Sequence, residues 1–145
     1  MSKPIKSFWG KYRFLSNFYP CFINYKGIIY PSVEHAYQAQ KTKDRKVQEH
    51  IAKLFTPLDA KHYGRKLPLF SSFEDEKLVI MKDLIRLKFQ NKILRKYLIS
   101  TKDAELIEGN KWGDVFWGVD IITGQGENHL GKIIMEVRKE IYSSM

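Results

Sequence analysis

Residues 107–129, "IEGNKWGDVFWGVDIITGQGENH", hold five glycines and no helical period. Each interior glycine costs a helix about 1 kcal/mol relative to alanine, so this stretch is predicted to form a long structured loop. Loops of that length inside a domain are uncommon and tend to carry function. This one also holds two of the three tryptophans, Trp112 and Trp117, on either side of Asp114. The two rings either pack while Asp114 makes a turn, or stack a flat heterocycle whose polar edge the carboxylate binds.

Helical patterns flank the loop. From Phe73 to Phe89, Leu78, Met81, Leu84, Ile85 and Phe89 share one face, and Ser71 and Glu74 have capping-box spacing. Asn91–Ile99 reads as another helix, with Ile93, Leu94, Tyr97 and Leu98 inward. After the loop, Asn128 is placed to cap a last helix in which Leu130, Ile133, Ile134, Val137 and Ile141 recur at helical spacing.

The first third reads as short extended segments. "CFINYKGIIYPS" suggests a hairpin turning at "NYKG", after which Ser32 is a good N-cap for a helix through about Lys43. A helix over 44–55, ended by Pro57, and a short one from Pro57 to Tyr63, stopped by Gly64, complete the expectation. The fold class is therefore α+β: a single compact, helix-rich domain over residues 1–145 with a small hairpin near the N-terminus.

Twenty-five Lys and Arg against 16 Asp and Glu give a net charge of +9, which favours anionic partners such as nucleotides, phosphorylated metabolites or nucleic acid. The basic residues are dispersed, so solvated helix faces account for most of them. Cys21 is the only cysteine and suits a reducing cytoplasm. The N-terminus lacks an apolar run of signal-peptide length and no segment could span a bilayer, so no membrane partner is expected.

In "SVEHAYQAQK", residues 32–41, Glu34, Gln38 and Lys41 fall at i, i+4 and i+7, beside an apolar face of Val33, Ala36 and Tyr37. The pattern describes an ordinary amphipathic helix with solvated polar residues, or a catalytic stripe. On the second reading Glu34, in the first turn, is favoured as an ionised base or a stabiliser of a developing cation. Lys41 would bind phosphate or, if burial lowers its pKa, act as an amine nucleophile. "RFLSNFYP", residues 13–20, raises the same choice, because Ser16 and Asn17 interrupt an otherwise aromatic and aliphatic run.

Metal chemistry finds no support in spacing: HExxH is absent, and His35, His50, His62 and His129 lack ligand intervals. No P-loop or GxGxxG appears, and no cofactor is expected.

Four blocks, "FLSNFYP", "YPSVEHAYQAQK", "EGNKWGDVFWG" and "GENHLGKIIMEVR", occur in that order over about residues 8–142. Together they resemble the signature blocks of the NADAR family, also called YbiA-like. The resemblance implies a compact helix-rich α+β fold and cleavage of N-glycosidic bonds. In one branch the substrate is a phosphorylated ribosylamino-pyrimidine of the riboflavin pathway. In another, ADP-ribose is removed from modified guanine in nucleotides or nucleic acid. It also implies Glu34, Trp112, Asp114 and Trp117 as site residues, with Asn17 and Lys41. Tyr37 stands where many relatives have Phe.

Residue chemistry and resemblance combine into one reading. N-glycoside hydrolysis passes through an oxocarbenium-like centre that carboxylates stabilise while activating water. Glu34 and Asp114 are the candidate carboxylates, and Lys41 is a third catalytic candidate through a Schiff base with ring-opened ribose. Trp112 and Trp117 would hold the base, Arg13, Lys41 and Arg138 a phosphate. Ser16 and Asn17 would line the pocket, supported by Phe18 and Tyr19, with Gln38 and Asn128 as further substrate contacts. The rivals are ADP-ribosyl-guanine hydrolysis and, in a different class, a non-catalytic module binding ADP-ribose or single-stranded nucleic acid.

Overall fold

The computed structural model describes residues 2–145. Its contacts gather into two units: Asn17–Lys88, and the segment through Ser16 together with Phe89–Met145.

The Asn17–Lys88 unit begins with an antiparallel hairpin, β1 (Ile23–Tyr25) and β2 (Ile28–Tyr30), in which Tyr25 faces Ile28 across a two-residue turn. Lys26 and Gly27 both have positive φ, 53° and 86°, as a turn matching strand twist requires. The turn is therefore centred on Lys26-Gly27, one residue later than "NYKG" suggests. Ile23, Tyr25, Ile28 and Tyr30 face the core, and Asn24 and Ile29 face out.

Helix α1 (Val33–Ala39) is capped by Ser32, whose Oγ accepts the His35 N–H at 3.1 Å. It is shorter than expected: Gln40 is the C-cap, and Lys41 lies in the turn beyond. It packs against α2 (Arg45–Ala52), α3 (Pro57–Arg65), α4 (Phe73–Lys88) and both strands, so all seven of its residues are buried. The solvated amphipathic helix is thereby excluded.

Pro57 does not end α2, which stops at Ala52; it occupies the first turn of α3. There Thr56 and Asp59 form a reciprocal capping box, with Asp59 N–H donating to Thr56 Oγ1 at 3.0 Å and Thr56 N–H to Asp59 Oδ2 at 3.3 Å. Gly64 lies within α3 rather than ending it. At the start of α4 the bonding centres on Ser72, whose carbonyl accepts from Asp75 and Glu76 and whose hydroxyl donates to Glu76, in place of the expected Ser71–Glu74 box. Met81, Leu84 and Ile85 are buried as expected, whereas Leu78 is 40% exposed.

In the other unit, Gly10–Leu15 forms a 3-10 helix rather than an extended segment, and Phe14 meets Tyr97 at a ring separation of 5.4 Å. Helix α5 (Lys92–Ser100) is capped by Asn91 Oδ1, which accepts from Ile93 and Leu94. Leu94 and Leu98 point inward; Ile93 and Tyr97 are largely exposed. Ile5 pairs with the 105–107 segment, donating to Glu105 O and accepting from Ile107 N, both at 2.8 Å.

The glycine-rich loop carries two short parallel strands, β3 (Gly109–Asn110) and β4 (Val119–Asp120), and leads into α6 (His129–Ser143). Leu130, Ile133, Ile134 and Val137 are buried along α6, and Ile141 is half-buried.

Candidate active site

Helix α1 buries polar groups that a core has no reason to take unless each finds a partner. His35 is the simplest case. Ser32 Oγ donates to its Nδ1 at 2.7 Å, and its Nε2–H donates to Leu54 O at 3.0 Å. That arrangement fixes a neutral imidazole bracing α1 against the end of α2, and burial holds its pKa below the usual value. His35 is thus a structural histidine.

Glu34 is only 8% exposed, and Gln38 Nε2 donates to its Oε2 at 2.6 Å, one turn along the helix. The Glu34 backbone N–H donates to Asn17 O at 3.1 Å, so the SNFYP segment closes the first turn of α1. The Asn17 side chain is 9% exposed; its amide reaches only Met81 Sδ at 3.6 Å, and its Oδ1 has no hydrogen-bond partner. A buried acceptor without a donor costs on the order of 1–3 kcal/mol. Such a group is suited to receive an O–H or N–H from a bound molecule.

Although Lys41 lies beyond the helix end, it stays within the same field. Burial lowers its pKa, the Glu34 carboxylate raises it, Arg65 lowers it, Glu74 raises it and Lys61 lowers it. Lys61 and Arg65 come from α3, whose approach depends on Gly64: a Cβ there would lie 1.9 Å from Gln38 Oε1 and 2.7 Å from Gln38 Cδ. Only glycine admits Gln38 at this contact. Phe18 lies under the Lys61 ammonium at 6.0 Å, and Tyr19 near Lys88 Nζ at 5.9 Å.

Asn17, Phe18, Glu34, Gln38 and Lys41 thus cluster with Lys61 and Arg65, which the sequence did not single out. Their relevance arises from the direction in which α3 packs, and only the i, i+4 spacing across Gly64 hinted at it. Tyr19 lies beside a third overlooked residue, Lys88, which is 1% exposed. Burial pulls the Lys88 pKa down to about 8, opposed by Cys21, whose own pKa burial pushes up.

The remaining candidates belong to the other unit, and the structure gives several of them internal duties. Asp114 Oδ1 accepts from Phe116 N at 3.2 Å and Trp117 N at 2.9 Å, forming the turn of the glycine-rich loop. Asn110, 2% exposed, holds that turn: its Oδ1 accepts from Trp112 and Asp114, and its Nδ2 donates to Glu108 and Asp114 O. Trp117 is half-buried, edge-on to Phe116 at 4.8 Å, while Trp112 is 64% exposed and so is not a core-filling ring.

Asn128 has φ 53° and makes no side-chain cap. Its Nδ2 donates to Leu106 O and its Oδ1 accepts from Glu108 N, both at 2.9 Å. The first amides of α6 are instead taken by loop carbonyls, His129 by Phe116 O and Leu130 by Trp117 O. Arg138 is buried and donates to Thr101 Oγ1 and Ala104 O, both at 2.8 Å, pinning the end of α5 to α6. These bonds make Asn128 and Arg138 struts of the fold. Arg13 is exposed at the end of the 3-10 helix, and Ser16 is its C-cap. Among the described residues no three His, Cys, Asp or Glu side chains gather as metal ligands, and no helix is long and apolar enough to cross a membrane.

The NADAR domain model matches residues 7–142. The chain belongs to the NADAR family. It is 40% identical over 131 residues to the riboflavin biosynthesis protein VVA0006 of Vibrio vulnificus, covering 88% of this chain and 35% of that one. It is 37% identical over 129 residues to the N-glycosidase YbiA of Escherichia coli, covering 87% of this chain and 79% of that one. The NMR structure of E. coli YbiA superposes with a TM-score of 0.85 at 34% identity, over 99% of this chain and 88% of that one. This NADAR chain therefore spans about a third of the longer Vibrio protein and most of YbiA. The helix-rich α+β fold with its N-terminal hairpin is that of the family, as the four sequence blocks implied.

Proposed function

We propose that this NADAR chain is an N-glycosidase that hydrolyses the N-glycosidic bond of a phosphorylated ribosylamino-pyrimidine, releasing ribose 5-phosphate and the free base. The observation that carries the reading is the buried Glu34 carboxylate, oriented by Gln38 at 2.6 Å, with Asn17 Oδ1 unpartnered in the same cluster. The names of the N-glycosidase and riboflavin biosynthesis relatives support the reaction class and the substrate class.

Breaking the C1–N bond leaves positive charge on C1 and the ring oxygen. A carboxylate held in low dielectric stabilises that charge more than one in water and takes a proton from the attacking water. Gln38 fixes Glu34 in one rotamer, so little reorganisation is needed as the charge develops. Asn17 Oδ1 accepts from a ribose hydroxyl or an exocyclic amine of the base. Burial lowers the Lys41 pKa, the direction an amine nucleophile needs. The amine can then add to C1 of the ring-opened ribosylamine, expelling the base and leaving a Schiff base that water hydrolyses. Borohydride trapping of a Lys41–ribose adduct distinguishes this route from direct attack by water. The lone cysteine fits a cytoplasmic enzyme.

The deciding experiment is incubation with a ribosylamino-pyrimidine phosphate and, separately, with ADP-ribosylated guanosine, following the released base by mass. Release from the first establishes the proposal. Release from the second alone transfers the chain to the ADP-ribosyl-guanine branch. Binding without release from either leaves a non-catalytic module for ADP-ribose or single-stranded nucleic acid.

A further inference from the structure

Lys61, Gly64 and Arg65 stand at i, i+3 and i+4 of α3, a spacing that places them on one side of the helix. Gly64 is the point at which that side meets α1, since it abuts the Gln38 side chain. The two cations therefore flank the contact on the side that carries Glu34, Gln38 and Lys41. Lys41 feels both of them as well as Glu34 and Glu74. Glu74 also meets Lys77 at 2.6 Å. Folding gains nothing from bringing two further cations beside the half-buried Lys41. An anionic ligand with its phosphate among them would relieve the repulsion.

We propose that Lys61 and Arg65 form the subsite that binds the phosphate of a ribose 5-phosphate moiety. The proposal rests on the N-glycosidase reading of Glu34 and gives that site its selectivity for phosphorylated substrates. Arg65 supplies a planar fork suited to two phosphate oxygens, and Lys61 a point charge held against the Phe18 ring. The phosphate anchors the sugar at a distance from the reacting carbon, so its binding energy serves to position C1 beside Glu34.

The test is equilibrium binding of ribose 5-phosphate and of unphosphorylated ribose, by calorimetry, to the parent and to Lys61→Met, Arg65→Met and Lys46→Met. Lys61 is half-buried and Arg65 exposed, so replacing them leaves the core intact; Lys46 is exposed on α2 and serves as the control for net charge. The parent is expected to bind ribose 5-phosphate more tightly than ribose. Each α3 variant should lose about tenfold or more in affinity for the phosphate ester, as for a charge-assisted hydrogen bond. Ribose binding should stay unchanged, as should both affinities of Lys46→Met. Equal affinity of the parent for the two sugars, or no measurable binding of ribose 5-phosphate, overturns the subsite. An equal loss in Lys46→Met also overturns it, since general charge would then suffice. These measurements need no turnover, so absence of hydrolysis in a separate assay would sink the N-glycosidase reading and leave the phosphate result standing.

Discussion

Gln38 donates from Nε2 to Glu34 Oε2 at 2.6 Å, both side chains buried on α1 one turn apart. Glu34→Gln keeps an acceptor for that bond and removes the negative charge. The variant is expected to fold and bind substrate while turnover falls by a factor of about 10² to 10⁴, the usual worth of a general acid or base. Steady-state kinetics alongside a melting curve checks it. Near-parental turnover in the folded variant would remove Glu34 from the chemistry.

Gly64→Ala sets two effects against each other. An alanine inside a helix gains about 1 kcal/mol over glycine, but here its Cβ would lie 1.9 Å from Gln38 Oε1. Overpacking of this kind typically costs about 1–3 kcal/mol, and Gln38 must release Glu34 to make room. Lower thermal stability together with lower turnover is expected. Adding Gln38→Ala should restore much of the stability and none of the activity. A more stable, fully active Gly64→Ala would show that the contact is loose.

His35 gives the fold a pH response. Burial depresses its pKa in the folded state, while the unfolded chain binds a proton near 6.5. The unfolded state therefore holds more protons between the two values, and stability present above pH 6.5 is lost as the pH falls through the folded-state pKa. Urea midpoints measured downward from neutrality, above the carboxylate range, should show this slope. His35→Gln should flatten it and start from a lower stability, since the bonds to Ser32 and Leu54 O are altered. A slope identical in parent and variant would place the titration elsewhere.

Trp112 is 64% exposed, so its replacement separates packing from binding. Trp112→Ala should change unfolding stability by no more than about 0.5 kcal/mol. If the ring stacks the base, substrate affinity should fall by about tenfold, since stacking is worth about 1–3 kcal/mol per base. Unchanged affinity with unchanged stability would leave the ring without a part in recognition.

Activity should survive dialysis against EDTA, because the proposed chemistry uses a carboxylate, an amide and amines. Loss on chelation with recovery on adding zinc or magnesium would contradict that.

The parts of this fold legible in the sequence are those set by neighbours a few residues apart. Ser32 declares itself as a cap, and the hairpin turn and the start of α5 are placed to within one residue, because capping and positive φ are local demands. The 3-10 helix at Gly10–Leu15 does not: it is too short for a period, and Gly10 enters it at φ 59°. The blocks pointed to Asn17, Glu34 and Lys41, and helical spacing added Gln38, yet only packing shows that α1 is buried along its whole length. Long-range packing also explains Arg138. An arginine in an amphipathic C-terminal helix reads as a surface cation, and nothing near it in sequence reveals Thr101 and Ala104 as its partners. Lys88 is hidden for the same reason, since burial of a lysine is decided by elements that α4 itself does not encode.

Ile5 pairs with Glu105 and Ile107, and the same N-terminal segment ends up burying Phe8, Phe14 and Leu15. On the ribosome these residues emerge well before their partners. At about 5–20 residues per second, the 91 residues separating Ser16 from Ile107 take on the order of 5–20 s to synthesise. Throughout that interval Ile5 and the apolar residues near it have no partner strand to join. Residues 17–88, contiguous in the chain, meet no such delay. The order of translation therefore gives one unit of this protein a head start and leaves residues 2–16 waiting for partners that are made later.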